Sequence, residues 1–241
     1  GKRRAHASAG MRLDARQQAC LQEMGIDVWR LRGGTDAAES SRQEVTAGRE
    51  PAADVAGVWT TLQQTVSDCT LCELHKGRTQ TVFGVGDPQA DWLLIGEAPG
   101  AEEDRRGEPF VGRAGQLLNN MIKAIGLDRE SVFIANILKC RPPNNRDPRP
   151  EEVTCCEPYL RQQIELIQPK IILALGRTAA QNLLKVSTPI GKMRGQKYVY
   201  PGTDIPVLVT YHPAYLLRSP SEKRKSWQDL QLAVKLFREM Q

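Results

Sequence analysis

Five of the six cysteines fall in two short stretches, "CTLC" at residues 69–72 and "KCRPPNNRDPRPEEVTCC" at 139–156. With no secretory signal pattern in the chain, thiols grouped in this way favour a metal centre over a disulfide framework. Cys69 and Cys72 lack the strand-to-helix setting of a thioredoxin-like redox pair, so the two stretches read as one four-thiolate site that clips distant parts of the chain together. Cys140 supplies a third ligand, and the fourth is one of the neighbours Cys155 and Cys156. Val153, Cys156 and Leu160 share one helical face, which turns Cys155 about 100° away and makes Cys156 the expected ligand. Spacing leaves zinc and a [4Fe–4S] cluster both open.

A second set of chemically able residues lies at the ends of apolar runs. Glu97 stands in "GEAPG", Asn136 in "NILKCRPP" and His212 in "YHPAY", and "GR" follows a further run. Each has a structural reading on its own: Glu97 as a helix cap, Asn136 as a partner for backbone groups, His212 as a turn residue. Their significance depends on the elements that hold them. Residues 91–96, 132–138, 170–176 and 206–211 are short apolar segments suited to strands buried on both faces. Helical patterns at 113–126, 150–167, 177–185 and 222–240 alternate with them. The expectation is a three-layer α/β/α fold around a mainly parallel four-stranded sheet. Ligand sites in such sheets form at the carboxyl ends of the strands, where Glu97, Asn136 and His212 would meet.

Charge adds a partner to this pocket. The net charge is +5, and residues 139–149, 192–197 and 218–225 carry +3 each, which leaves the rest of the chain net negative by four. Positive charge gathered on a few loops suits a polyanion such as nucleic acid. No run approaches the roughly 20 apolar residues of a membrane span, so a cytoplasmic, membrane-free and monomeric protein is expected.

Three motifs, "GEAPGAEEDRRGEPFVGRAGQLL" (96–118), "NILKCRPPNNRDPRPEEVTCCEPYL" (136–160) and "HPAYLLR" (212–218), resemble the family 4 uracil-DNA glycosylases. The resemblance covers about residues 58–240 and implies a [4Fe–4S] cluster on Cys69, Cys72, Cys140 and Cys156, structural in role. It implies hydrolysis of the bond joining uracil to deoxyribose after the nucleotide is flipped from the duplex. Phe110 resembles the family's stacking platform. Asn136 would donate to a uracil carbonyl and accept from the ring N–H, the order opposite to cytosine's. His212 resembles the donor to the 2-carbonyl oxygen, Glu97 would orient or deprotonate water, and backbone groups of Gly96 and Ala98 would add contacts to the base. Tyr215, Leu216 and Leu217 are wedge candidates with Arg218 on a phosphate, and Arg141, Arg146, Lys192 and Arg194 would hold the DNA backbone.

A sister group that traps uracil-containing DNA covalently carries Gln in "GEQPG" and a histidine in a "KRRIH"-like insertion. Here position 98 is Ala and "STPIGKMRGQ" (187–196) has no histidine, so turnover is expected. No lysine is evidently placed as a Schiff-base nucleophile, so strand cleavage is not. The alternatives are a glycosylase for another deaminated base and a non-catalytic cluster-bearing module related to phage polymerase accessory domains.

Residues 33–57, rich in Gly, Ala and charge and free of aromatics, read as a disordered linker between an N-terminal segment (1–32) and a catalytic domain (58–241). Within 12–34, "LQEMGIDVWRLR" is similar to the N-terminal peptide of the psi subunit of DNA polymerase III, which implies docking on a clamp loader through Met24, Trp29 and Leu31. The alternative is a helix packed on the catalytic body.

Overall fold

The computed structural model describes residues 52–240. The expected readings of residues 12–32 lie outside them. Among the described residues helix α1 (Ala52–Ser67) comes first, so the last six residues of the expected linker belong to a helix. The Ala-rich start is a strong helix former, and further along α1 Leu62 and Val66 are buried against Tyr159.

Among the described residues the sheet has six strands rather than four, ordered β1-β3-β2-β4-β6-β5. The four expected strands, β2 (Trp92–Gly96), β3 (Phe133–Asn136), β4 (Ile171–Leu175) and β6 (Pro206–Thr210), form a continuous parallel block. Two short antiparallel edges flank it, β1 (Val85–Gly86) on β3 and β5 (Lys197–Val199) on β6. Both escape a hydrophobicity reading: β1 has two residues, and β5 alternates exposed with half-buried positions.

Successive residues of β2 face opposite layers, as the period of two requires. Leu93 and Ile95 pack with α4 (Pro150–Ile167) and α5 (Arg177–Leu184). Trp92 and Leu94 pack with α3 (Arg113–Ala124), α7 (Pro213–Arg218) and α8 (Lys223–Glu239). Two cores on two faces make the three-layer α/β/α fold. The short helices α2 (Ala101–Arg106) and α6 (Ile190–Met193) lie in the connections after β2 and before β5. Among the described residues no helix is long and apolar enough to cross a membrane.

Candidate active site and cysteine cluster

The parallel ladder carries on past the end of β3. Ile137 N–H donates to Gly96 O at 3.0 Å and Leu138 N–H to Glu97 O at 3.1 Å, zipping the two strand tips together. Gly96 decides what these tips can hold. A Cβ at this position would stand 2.4 Å from Asn136 Oδ1 and 2.6 Å from Phe110 Cζ, so only a bare Cα lets the amide and the aromatic ring share this edge. Asn136 is buried at 2% exposure and Phe110 at 6%.

Phe110 sits at φ 55°, in the left-handed region a non-glycine residue rarely adopts. Its loop is held at several points: Glu103 accepts from Val111 N–H at 3.1 Å, and Arg129 donates to Pro109 O at 2.6 Å. Gly115 closes the clamp, since a Cβ there would fall 1.7 Å from the Phe110 carbonyl oxygen.

The Phe110 ring lies 5.5 Å from the His212 ring, centroid to centroid, tilted by 30°. His212 precedes α7, and its Nδ1 accepts from Ala214 N–H at 3.1 Å. Nδ1 therefore presents a lone pair, and the neutral ring carries its proton on Nε2. Burial pushes the imidazole down to about 4, with Arg218 adding to the effect, so His212 is neutral at physiological pH. Gly176, at φ 97°, gives the ring room: a Cβ would meet His212 Cβ at 2.9 Å.

Glu97 and His212 line one cleft of about 400 Å³ with Arg177, Thr178, Ile190, Tyr211, Tyr215 and Arg218. Burial raises the Glu97 carboxyl above its usual range and Asp147 adds to this, while the Thr178 hydroxyl and Arg177 pull the other way. Arg177 and Tyr211 are present in the sequence reading only as members of "GR" and "YHPAY", and Thr178 and Ile190 are not singled out there. Ala98 is half-buried beside Glu97.

The structure separates the expected DNA contacts. Lys192 and Arg218 are exposed, Arg141 is half-exposed with Nε on Asn145 Oδ1 at 2.8 Å, and Tyr215 is exposed and packs on Tyr211 at 4.9 Å. Leu217 is half-buried. Leu216 is corrected: at 1% exposure it belongs to the core under α7, three residues from buried Pro213, and has no free surface to act as a wedge. Arg194 is corrected as well. Its guanidinium bonds buried Asp229 at 2.8 Å and covers the Tyr211 ring at 4.6 Å, so it braces the pocket wall from inside. Arg146 is held in both directions by buried Glu152, at 2.9 Å from Nη1, and pins its loop to the start of α4.

Cys69, Cys72, Cys140, Cys155 and Cys156 line one small enclosed cavity with His75, Arg78, Lys139 and Tyr159. Cys156 and Cys140 are buried, whereas Cys155 is half-exposed and directs its thiol to Leu71 O at 3.4 Å. The helical phase thus separates the neighbours as expected. Burial raises the Cys72 and Cys140 thiols and pushes Cys156 up to about 12. Thiols this desolvated become ligands only against strong positive charge. Arg78 supplies one such contact, donating to Cys140 Sγ at 3.1 Å. Among the described residues no group of three or more His, Cys, Asp or Glu side chains is gathered tightly enough for one metal ion.

The fold and the strand-tip pocket define an α/β protein that gathers an amide, an aromatic ring, a neutral imidazole and a carboxylate at one edge of a parallel sheet. A family model for the uracil DNA glycosylase superfamily matches residues 83–231, and the chain belongs to that superfamily. It is 50% identical over 161 residues to the type-4 uracil-DNA glycosylase of Archaeoglobus fulgidus, covering 64% of this chain and 81% of that protein. The type-4 enzyme of Sulfurisphaera tokodaii is 47% identical over 170 residues, 68% of this chain and 77% of that one. The type-4 enzyme of Thermotoga maritima is 46% identical over 165 residues, 67% of this chain and 84% of that one.

Proposed function

We propose that the protein is a monofunctional uracil-DNA glycosylase, which hydrolyses the bond between uracil and deoxyribose in DNA and leaves an abasic site. One observation carries this reading. An amide, an aromatic ring, a neutral imidazole and a carboxylate meet at one sheet edge, in a chain half identical to a type-4 enzyme over 161 residues.

The bond to be broken is inaccessible in a stacked duplex, so the nucleotide must leave the helix. Asn136 reads the uracil edge, Phe110 supports its face, and the backbone of Gly96 and Ala98 adds contacts. As the bond to C1′ breaks, its electron pair leaves with the base. The Nε2–H of neutral His212 donates to the oxygen on which that charge accumulates. Ionised Glu97 orients the water whose oxygen bonds to C1′ and takes up its proton. Water adds across one bond without net oxidation. Lys192, Arg218 and Arg141 hold phosphates, and Tyr215 and Leu217 fill the gap in the stack.

The cysteine site suits a [4Fe–4S] cluster on Cys69, Cys72, Cys140 and Cys156. The four thiols line one cavity, which fits four thiolates on one centre, and the resemblance to the family 4 enzymes favours one thiolate on each iron over a single tetrahedral zinc. When bound, the cluster would brace the Arg-rich loop beside the pocket. For residues 12–32 the proposal is a tether to a clamp loader, supported by sequence likeness alone. Equal capture of clamp loader by wild type and Trp29→Ala would remove it.

The test of the main reading is a gel assay on single-uracil and matched thymine oligonucleotides, developed with alkali to reveal abasic sites. Cleavage of the uracil strand alone supports the proposal. Absence of cleavage, or equal cleavage of both strands, rejects it.

A further inference from the structure

Lys139 has no part in the chemistry above, yet it is the largest fully buried side chain among the described residues, at 1% exposure. Its Nζ donates to Gln163 Oε1 at 2.6 Å, to Asn136 O at 3.1 Å and to Phe83 O at 3.2 Å. Three acceptors match the three N–H bonds of a lysine ammonium, and all are neutral. Gln163, itself fully enclosed, donates through Nε2 to the same Phe83 carbonyl at 3.0 Å. A buried amine without a carboxylate is a costly way to fill space that a methionine would fill. What distinguishes it is the group it holds.

The Asn136 carbonyl belongs to the last residue of β3, where the strand gives way to the loop carrying Cys140. On one side the next two amides are tied to Gly96 and Glu97. On the other, Lys139 folds back three residues and grips the Asn136 carbonyl. The peptide that aims the Asn136 side chain is thus fixed from both directions.

We propose that Lys139, locked by Gln163, is a positioning residue for base recognition: it fixes the Asn136 peptide and with it the direction from which the amide meets uracil. The inference rests on the reading of Asn136 as the uracil-contacting group. Lys139 touches no substrate and acts only through Asn136.

The test uses the full chain with the double substitution Lys139→Met and Gln163→Leu, which removes the buried Lys139–Gln163 pair at similar size; it also takes both side-chain donors from the Phe83 carbonyl, so a melt accompanies it. Free uracil, as an inhibitor of uracil release, probes the Asn136 pocket directly. The double variant is expected to bind uracil-free duplex within about twofold of wild type, while its inhibition constant for uracil rises about tenfold, the scale of one buried hydrogen bond. An unchanged inhibition constant in the folded double variant overturns the proposal, as does an equal loss of affinity for uracil and for uracil-free DNA. Should the double variant fail to melt cooperatively, Gln163→Leu alone carries the same expectation, and a wild-type constant there overturns it. A wild-type protein that releases no uracil would instead remove the functional reading beneath it.

Discussion

Gly96→Ala tests the geometry of the pocket with one methyl group. Carbon atoms pack at about 3.5–4.0 Å, and the added Cβ would lie 2.4 Å from Asn136 Oδ1 and 2.6 and 2.8 Å from Phe110 Cζ and Cε2. The amide, the ring or the strand must therefore yield by roughly 1 Å in total. The Phe110 loop has little slack, because Glu103, Arg129 and Gly115 hold it. A misplacement of about 1 Å at a reacting site costs about 10²-fold in rate. Overpacking of this kind costs about 1–3 kcal/mol of stability, or roughly 2–12 °C in Tm for a domain of this size. Single-turnover uracil release, measured with a thermal melt on the same sample, separates the two effects. The control is Gly57→Ala, whose new methyl meets nothing within 4 Å and should leave the rate unchanged. A Gly96→Ala enzyme within threefold of wild type would refute the claim that this glycine creates the meeting of Asn136 and Phe110.

The remaining predictions concern charge and ligation. Because burial raises the Glu97 carboxyl and pushes the His212 imidazole down to about 4, the acid limb of kcat/KM belongs to Glu97 and lies above the ordinary carboxylate range; no histidine inflection near 6.5 is expected, and Glu97→Gln should abolish the limb. A histidine signal titrating near 6.5 and assigned to His212 would contradict this. Arg194→Ala leaves Asp229 buried and unpaired, so it should cost about 3–5 kcal/mol of stability, seen in a melt, without altering the salt dependence of DNA binding. Lys192→Ala should do the reverse, lowering the slope of log affinity against log salt by about one. With the proposed cluster bound, Cys156→Ser should abolish visible absorbance and bound iron, while Cys155→Ser keeps both, because Cys156 is buried and Cys155 is half-exposed with its thiol on Leu71 O.

Much of the architecture was legible because its signals are local. The four central strands are continuous apolar runs, and the face shared by Val153, Cys156 and Leu160 separates two adjacent cysteines without any tertiary knowledge. What escaped depends on contacts distant in sequence. Arg194 looks like any basic loop residue until Asp229, 35 positions away, claims its guanidinium. Leu216 and Leu217 are indistinguishable as letters, and only the docking of the six-residue α7 sends one inward. Lys139 sits beside Cys140 in a basic stretch and reads as surface charge, although Gln163 and two backbone carbonyls hold it. The positive φ of Phe110 has no sequence signature at all. The type of each pocket residue was readable, but its constraints were not.

The central claim is that this pocket releases an intact base by hydrolysis and then turns over. Its most direct test is to quantify free uracil by mass spectrometry and abasic sites by aldehyde labelling, with uracil-containing DNA in large excess over enzyme. The account predicts the two products in equal amounts, accumulating well beyond one equivalent of protein. No released base, or a burst that stops at one equivalent with a denaturation-resistant protein–DNA adduct, would contradict it.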